Sequence, residues 1–198
     1  MKNLAQIFFK YRSYTPIPFL VLMIVFIDAT IYSIAVGFCI AVIGELIRLW
    51  GVNYAGSETR TTGGVGGTFL IVKGPFAHVR NPLYVGNMII YLGLGVMSYA
   101  LFPYLQIAAL SFFALQYYLI VKIEEQYLAK TFGENFSDYV KNVPRFIPRL
   151  TKYVNENIQQ PPFKLKAGLK SERRSLQAML GISVLIVAVW LVKSNNLL

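Results

Sequence analysis

The feature that most constrains this chain is a succession of apolar runs long enough to cross a bilayer. Residues 31 to 50 carry only Glu45 and Arg48 as charged groups, and about 20 helical residues at 1.5 Å each cover about 30 Å of hydrocarbon. Further runs occupy residues 12 to 27, 83 to 101 and 103 to 123, with a last one from about 176 to 192. Hydrocarbon offers no water to backbone amides, so such segments become helices. The fold class expected is all-α: a polytopic membrane helix bundle of about five transmembrane helices, with cytoplasmic interfacial helices. The first run holds Pro16 and Pro18 and ends at Asp28. It is read as a membrane span rather than a cleaved signal, because Lys10 and Arg12 follow an apolar start and no small-x-small cleavage site follows the core.

Composition agrees. A chain of 198 residues that is 56 % hydrophobic and 14 % charged, with mean hydropathy +0.52, carries more apolar surface than a soluble core of this size can bury. The lone Cys39 excludes an intramolecular disulfide. The net charge of +10 would suit nucleic acid in a soluble protein, but here the basic residues flank apolar runs, so nucleic-acid binding is rejected. With five spans and a cytoplasmic N-terminus, every one of the 19 Lys and Arg residues except Lys193 falls on the cytoplasmic side. That asymmetry predicts a multi-pass integral membrane protein, in a bacterial plasma membrane or the endoplasmic reticulum.

Two units follow: a membrane core over 1–150, and a polar linker with a C-terminal transmembrane helix over 151–198. Within the core, residues 51 to 82 form a connector containing Gly63, Gly64, Gly66 and Gly67. No Gly-Lys-Ser/Thr follows, which argues against a phosphate loop. From Glu124 to about Leu150 the chain turns amphipathic, with Gly133 expected to cap one helix and Pro144 to stop the next. Phe132, Phe136, Tyr139 and Val140 give this region a greasy face.

Three constellations can carry chemistry. His78, Arg80, Asn81, Pro82 and Tyr84 crowd where the third run enters lipid, and polar groups at that depth need partners. Arg80 can grip a carboxylate through a bidentate contact or snorkel as a membrane anchor, with Asn81-Pro82 capping the helix. Gly93 and Gly95 allow close approach of a ligand or a neighbouring helix. Glu124 and Glu125 sit about 100° apart near the C-terminal end of a helical span, where the macrodipole disfavours anions, so they call for a counter-charge or hydrogen-bond donors. No metal site is expected.

In order and spacing, Arg80-Asn81-Pro82-Leu83-Tyr84-Val85-Gly86, Gly93-Leu94-Gly95, Glu124-Glu125 and Val143-Pro144-Arg145-Phe146-Ile147-Pro148 resemble the shared core of isoprenylcysteine carboxyl methyltransferases and phospholipid methyltransferases. The likeness runs over about residues 44 to 148. It implies S-adenosylmethionine as cofactor and methyl transfer to a lipophilic, membrane-embedded acceptor: the carboxylate of a prenylated cysteine-like compound, or a lipid amine. It implies that Arg80, Pro82, Tyr84, Gly93, Gly95, Glu124 and Glu125 line the cofactor site, with Arg80, Tyr84 and Glu125 catalytic; Asn81 and His78 beside them are further candidates for cofactor contact, His78 reading equally as an ordinary interfacial residue. Asn81 stands where the eukaryotic carboxyl methyltransferases usually have His. Asn cannot take a proton at neutral pH, which favours an acceptor already deprotonated or a base among Glu124, Glu125 and Tyr84. The partners expected are a lipophilic small molecule or lipid as substrate, and membrane lipids. Two rivals remain, an NADPH-dependent sterol-reductase-like enzyme and a non-catalytic lipid-binding scaffold. The paired glutamates count against the first.

Overall fold

A computed structural model describes residues 2–56, 68–163 and 165–194. The expected glycine-rich loop at Gly63 to Gly67 lies outside the described residues. Six helices make up the described chain, with no strand among those residues: α1 Lys2–Tyr11, α2 Ile17–Val25, α3 Ile31–Ala55, α4 Pro82–Ser98, α5 Tyr104–Asn142 and α6 Leu165–Ser194. The fold is an all-helical membrane bundle. Helices α3, α5 and α6 are long and apolar enough to cross a membrane, and α4 is a shorter apolar helix of 17 residues.

Local chemistry sets these boundaries. Pro16 and Pro18 lack the amide hydrogens a longer helix would need, so the expected span from 12 to 27 is helical only over the nine residues Ile17–Val25. Its end is pinned by the Asp28 amide donating to the Ser98 carbonyl (3.0 Å). Thr30 and Ser33 then form a reciprocal cap at the start of α3. Pro82 opens α4, where its missing N–H costs nothing. Helix α5 runs on past the end of its apolar part and breaks at Gly133, whose φ of 50° is easily adopted only by glycine. The Gly133–Asn142 arm then lies beyond the membrane part. Helix α6 begins at Leu165, so part of the expected polar linker is helical.

The burial pattern of α3 is that of a lipid-bathed helix. Its interior face is small or polar, with Ser33, Gly37, Ala41, Gly44 and Glu45 buried, while Tyr32, Val36, Ile43 and Leu46 point outward. Between apolar lipid and protein there is little hydrophobic drive to hide Leu or Ile, so small residues that let backbones approach take the seam. A Cβ on Gly37 would lie 2.5 Å from the Gly93 carbonyl oxygen, and one on Gly44 2.7 Å from that of Gly86. Neither contact is tolerable. The two glycines on each helix are two turns apart and share one face, which locks α3 against α4 in a fixed antiparallel register.

Two further clusters position the site. Met23, Leu94, Met97 and Ile186 join α2, α4 and α6 in the middle of the bundle. Outside the bundle, Leu70, Val72, Phe136, Tyr139, Val143 and Tyr153 form a second core that ties the connector before α4 to the arm after Gly133. The bundle therefore has two distinct ends. One gathers Asp28, Ser98 and Lys193, whose Nζ donates to the Ile27 carbonyl (3.2 Å). The other gathers Arg80, Glu124, Glu125 and the second core.

Candidate active site

At that second end the chain before α4 is laced to the chain after α5. The amides of Arg80, Arg149 and Tyr153 donate to the carbonyls of Pro144, His78 and Ala77, each at 2.9 Å. Tyr139 donates its hydroxyl to the Phe76 carbonyl (2.7 Å). Burial pushes the Tyr139 phenol well above its ordinary value, so it stays a donor. Tyr153, raised by burial and by its bond to Asp138 (2.6 Å), closes the same layer.

Within this frame Glu125 bridges two arginines. Arg80 donates to its Oε1 from Nε (3.2 Å) and Nη2 (2.9 Å), and Arg145 donates to Oε1 from Nε (3.0 Å) and to Oε2 from Nη2. The hydrogen bonds that Arg145 donates to Glu125 hold its guanidinium above its usual value. Arg80 spends its remaining Nη1 donors on the carbonyls of Val140 (3.0 Å) and Val143 (2.6 Å). Asn81 donates to the Arg145 carbonyl (3.1 Å). One turn further into the bundle, the Tyr84 hydroxyl donates to Glu124 Oε1 (2.8 Å) while its ring stacks on Tyr117 at 4.6 Å.

A cavity of about 790 Å³ opens beside these groups. Arg80, Asn81, Pro82, Tyr84, Glu124 and Glu125 are among its walls, so the structure brings together six of the residues expected at the site. His78, Gly93 and Gly95 are not among them. His78 faces the Arg149 carbonyl (3.0 Å from Nδ1), Gly93 meets the backbone of Gly37 and Ala41, and the Gly95 carbonyl accepts from Gln106 (2.8 Å). Towards the bundle interior the walls turn apolar, with Leu20, Ile90, Leu94, Met179 and Ile182.

Sequence reasoning passed over other residues of the cavity. Arg48 on α3 pairs with Glu172 on α6, Nη2 lying 2.8 Å from Oε1 and 2.9 Å from Oε2, and donates from Nη1 to Asn87 (2.5 Å). The signal for Arg48 was present, because an ionisable group within a membrane span marks a site by default. Glu172, only 3 % exposed, gave none: in the sequence it is one charge among several in a polar stretch. Arg12, ahead of α2, also lines the cavity.

Comparison with known proteins fixes the family. The model of the phospholipid methyltransferase family matches residues 32–135, just over half of the 198 residues. The chain belongs to that family. The matched region holds α4, the Tyr84–Glu124 pair and the Arg80–Glu125 pair. Among curated relatives, the chain is 36 % identical over 121 residues to the cobalt-zinc-cadmium resistance protein CzcN of Cupriavidus metallidurans, covering 61 % of this chain and 50 % of that one. It is 34 % identical over 110 residues to the nickel-cobalt-cadmium resistance protein NccN of Alcaligenes xylosoxydans xylosoxydans, covering 56 % and 47 %. The chain thus spans about half the length of these curated relatives. No solved structure matches. Among the described residues no group of three or more His, Cys, Asp or Glu side chains is placed to hold a metal ion.

Proposed function

We propose that this family member is a membrane methyltransferase that uses S-adenosylmethionine to methylate a lipophilic acceptor entering from the bilayer. The observation that carries the reading is the cavity itself: one space of about 790 Å³ has a charged, hydrogen-bonding end at Arg80, Tyr84, Glu124 and Glu125 and an apolar end at Leu20, Leu94, Met179 and Ile182. A volume of this order suits a small-molecule ligand. The residues present fit the cofactor: carboxylate oxygens of Glu124 and Glu125 face the space, and a buried guanidinium nitrogen of Arg12 lacks a hydrogen-bond partner there. The cofactor supplies the reactive methyl carbon and its own leaving group, which leaves the protein to align and desolvate.

In this reading Arg80 and Glu125, locked to each other and to Arg145, form the rigid wall against which the cofactor lies. Asn81 and Pro82 continue that wall at the mouth of α4, and Tyr84 holds Glu124 in place. His78, Gly93 and Gly95 support the site through packing. An acceptor carboxylate needs no base. An acceptor amine would lose its proton to Glu124, the cavity-lining carboxylate that makes no ion pair with a described residue, whereas Glu125 and Glu172 are held by arginines. The site end faces the cytoplasm in this proposal, with the N-terminus on the same side and the membrane a bacterial plasma membrane or the endoplasmic reticulum.

The test is incubation of the purified protein with methyl-labelled S-adenosylmethionine and a total membrane lipid extract, followed by mass spectrometry of the lipids. A labelled lipophilic product is expected. Absence of both labelled product and cofactor binding would overturn the reading.

A further inference from the structure

We propose that Arg12 is the anchor for an oxyanion, a carboxylate or phosphate, on a molecule that enters the cavity. The inference deepens the methyltransferase reading of the same cavity, but rests on a residue ahead of the 32–135 match.

Four arginines and three glutamates line the cavity, and their commitments differ. Arg80 is bound to Glu125 and to the carbonyls of Val140 and Val143. Arg48 is bound to Glu172, Asn87 and the Leu83 carbonyl. Arg174 sits exposed at the rim. Arg12 alone of the four is partly buried yet donates no side-chain hydrogen bond to any described residue, and its Nη1 is shielded from solvent without a partner. The Phe9 ring of α1 lies 4.1 Å from the centre of its guanidinium, which holds the planar group in place but satisfies none of its in-plane donors.

A buried guanidinium nitrogen left without an acceptor on a cavity wall is costly, and such groups persist where they serve a ligand. Its surroundings select the ligand's sign. Arg12 lines the same cavity as the Tyr84–Glu124 pair and so belongs to its polar walls. Glu124 is itself engaged by the Tyr84 hydroxyl and forms no ion pair with Arg12. An oxyanion gripped by the Arg12 fork would leave the rest of the molecule to extend past Tyr84 towards Leu20, Ile90 and Leu94. Two molecules carry the required group, the cofactor through its amino-acid carboxylate and an acceptor through an anionic headgroup.

The test uses the full chain in detergent micelles and two variants. R12Q removes the charge while keeping a planar group against Phe9, and R12K keeps the charge but loses the fork. Calorimetry would compare S-adenosylmethionine with its decarboxylated analogue, and phosphatidic acid with diacylglycerol. The expected result is that R12Q binds one of the two oxyanion-bearing probes at least tenfold more weakly, binds its counterpart lacking the oxyanion as the parent protein does, and is partly rescued in R12K. A difference within the first pair assigns the cofactor's carboxylate, and one within the second assigns the acceptor's headgroup. If R12Q binds both oxyanion-bearing probes as tightly as the parent, or the parent binds neither, the proposal is overturned. A parent that ignores S-adenosylmethionine but binds phosphatidic acid through Arg12 would remove the methyltransferase reading and leave the anion site standing.

Discussion

Glu125 holds two arginines that see different amounts of water: the Arg80 side chain is 9 % exposed and that of Arg145 30 %. Desolvation weights them unequally. Replacing Glu125 by Ala strands Arg80 in a place where it cannot be rehydrated, and breaking a buried pair in this way costs about 3 kcal/mol or more. Arg145→Ala removes the more solvated partner and leaves Glu125 still bridged by Arg80, for a loss of about 1 kcal/mol or less. Unfolding in denaturant would read both, and a loss for Arg145→Ala as large as that for Glu125→Ala would overturn this unequal weighting. Tyr139→Phe tests the layer above. It deletes the hydroxyl that donates to the Phe76 carbonyl without opening a cavity, and the expected loss of stability is about 1–2 kcal/mol.

At the scale of helices the decisive contact is the glycine seam of α3 and α4. Gly93→Val would drive methyl groups into the backbone at Gly37 and Ala41, where a Cβ already lies 2.6 and 2.4 Å from the nearest atoms. Helices cannot separate without breaking the seam, so the variant is expected to give little folded protein on size exclusion in detergent. Gly181 in α6 is the matched control: a Cβ there meets nothing within 4 Å, and Gly181→Ala should raise stability by about 0.5–1 kcal/mol through helix propensity. The seam also shows what the sequence could and could not reveal. Apolar length located α3, α4 and the membrane part of α5, and Gly133 was legible as a break because a positive φ favours glycine. The pairing of Gly37 with Gly93 was not legible, since either glycine is equally consistent with a ligand contact until the facing helix is known. The start of α6 was hidden for a related reason. Its first turns carry Lys166, Lys170, Glu172 and Arg173 and read as solvated linker, and only the tertiary pairing of Glu172 with Arg48 explains why a charge there is buried. In the cavity, Arg80, Tyr84, Glu124 and Glu125 were readable because their charge or polarity is out of place at a membrane interface. Asn87 and Tyr117 were not, being ordinary residues of an apolar helix until the cavity puts them on its wall.

For the whole molecule, the distribution of charge between the two ends of the bundle makes a directional prediction. Lys193 donates to Ile27 at the end that also holds Ser98 and the turn before α5, while Arg80, Arg145 and Arg149 cluster with the second core at the other end. Cytoplasmic loops retain Lys and Arg, so the site end is the cytoplasmic one if the membrane obeys the usual bias. Cys39 is the sole native cysteine, which makes the orientation measurable in a Cys39→Ser background. Asn157→Cys places a thiol on an exposed residue of the second-core side, and Leu101→Cys one on the exposed turn between α4 and α5, where Leu101 is 48 % accessible. A membrane-impermeant maleimide should label the first only in inside-out vesicles and the second only in right-side-out vesicles. The reverse pattern would place the cavity's charged end on the far side of the membrane, out of reach of a cytoplasmic nucleotide cofactor, and would remove the route by which S-adenosylmethionine is proposed to enter. Labelling of both from one side would mean that the four helices from α3 onward do not thread the bilayer as the separation of the two ends requires.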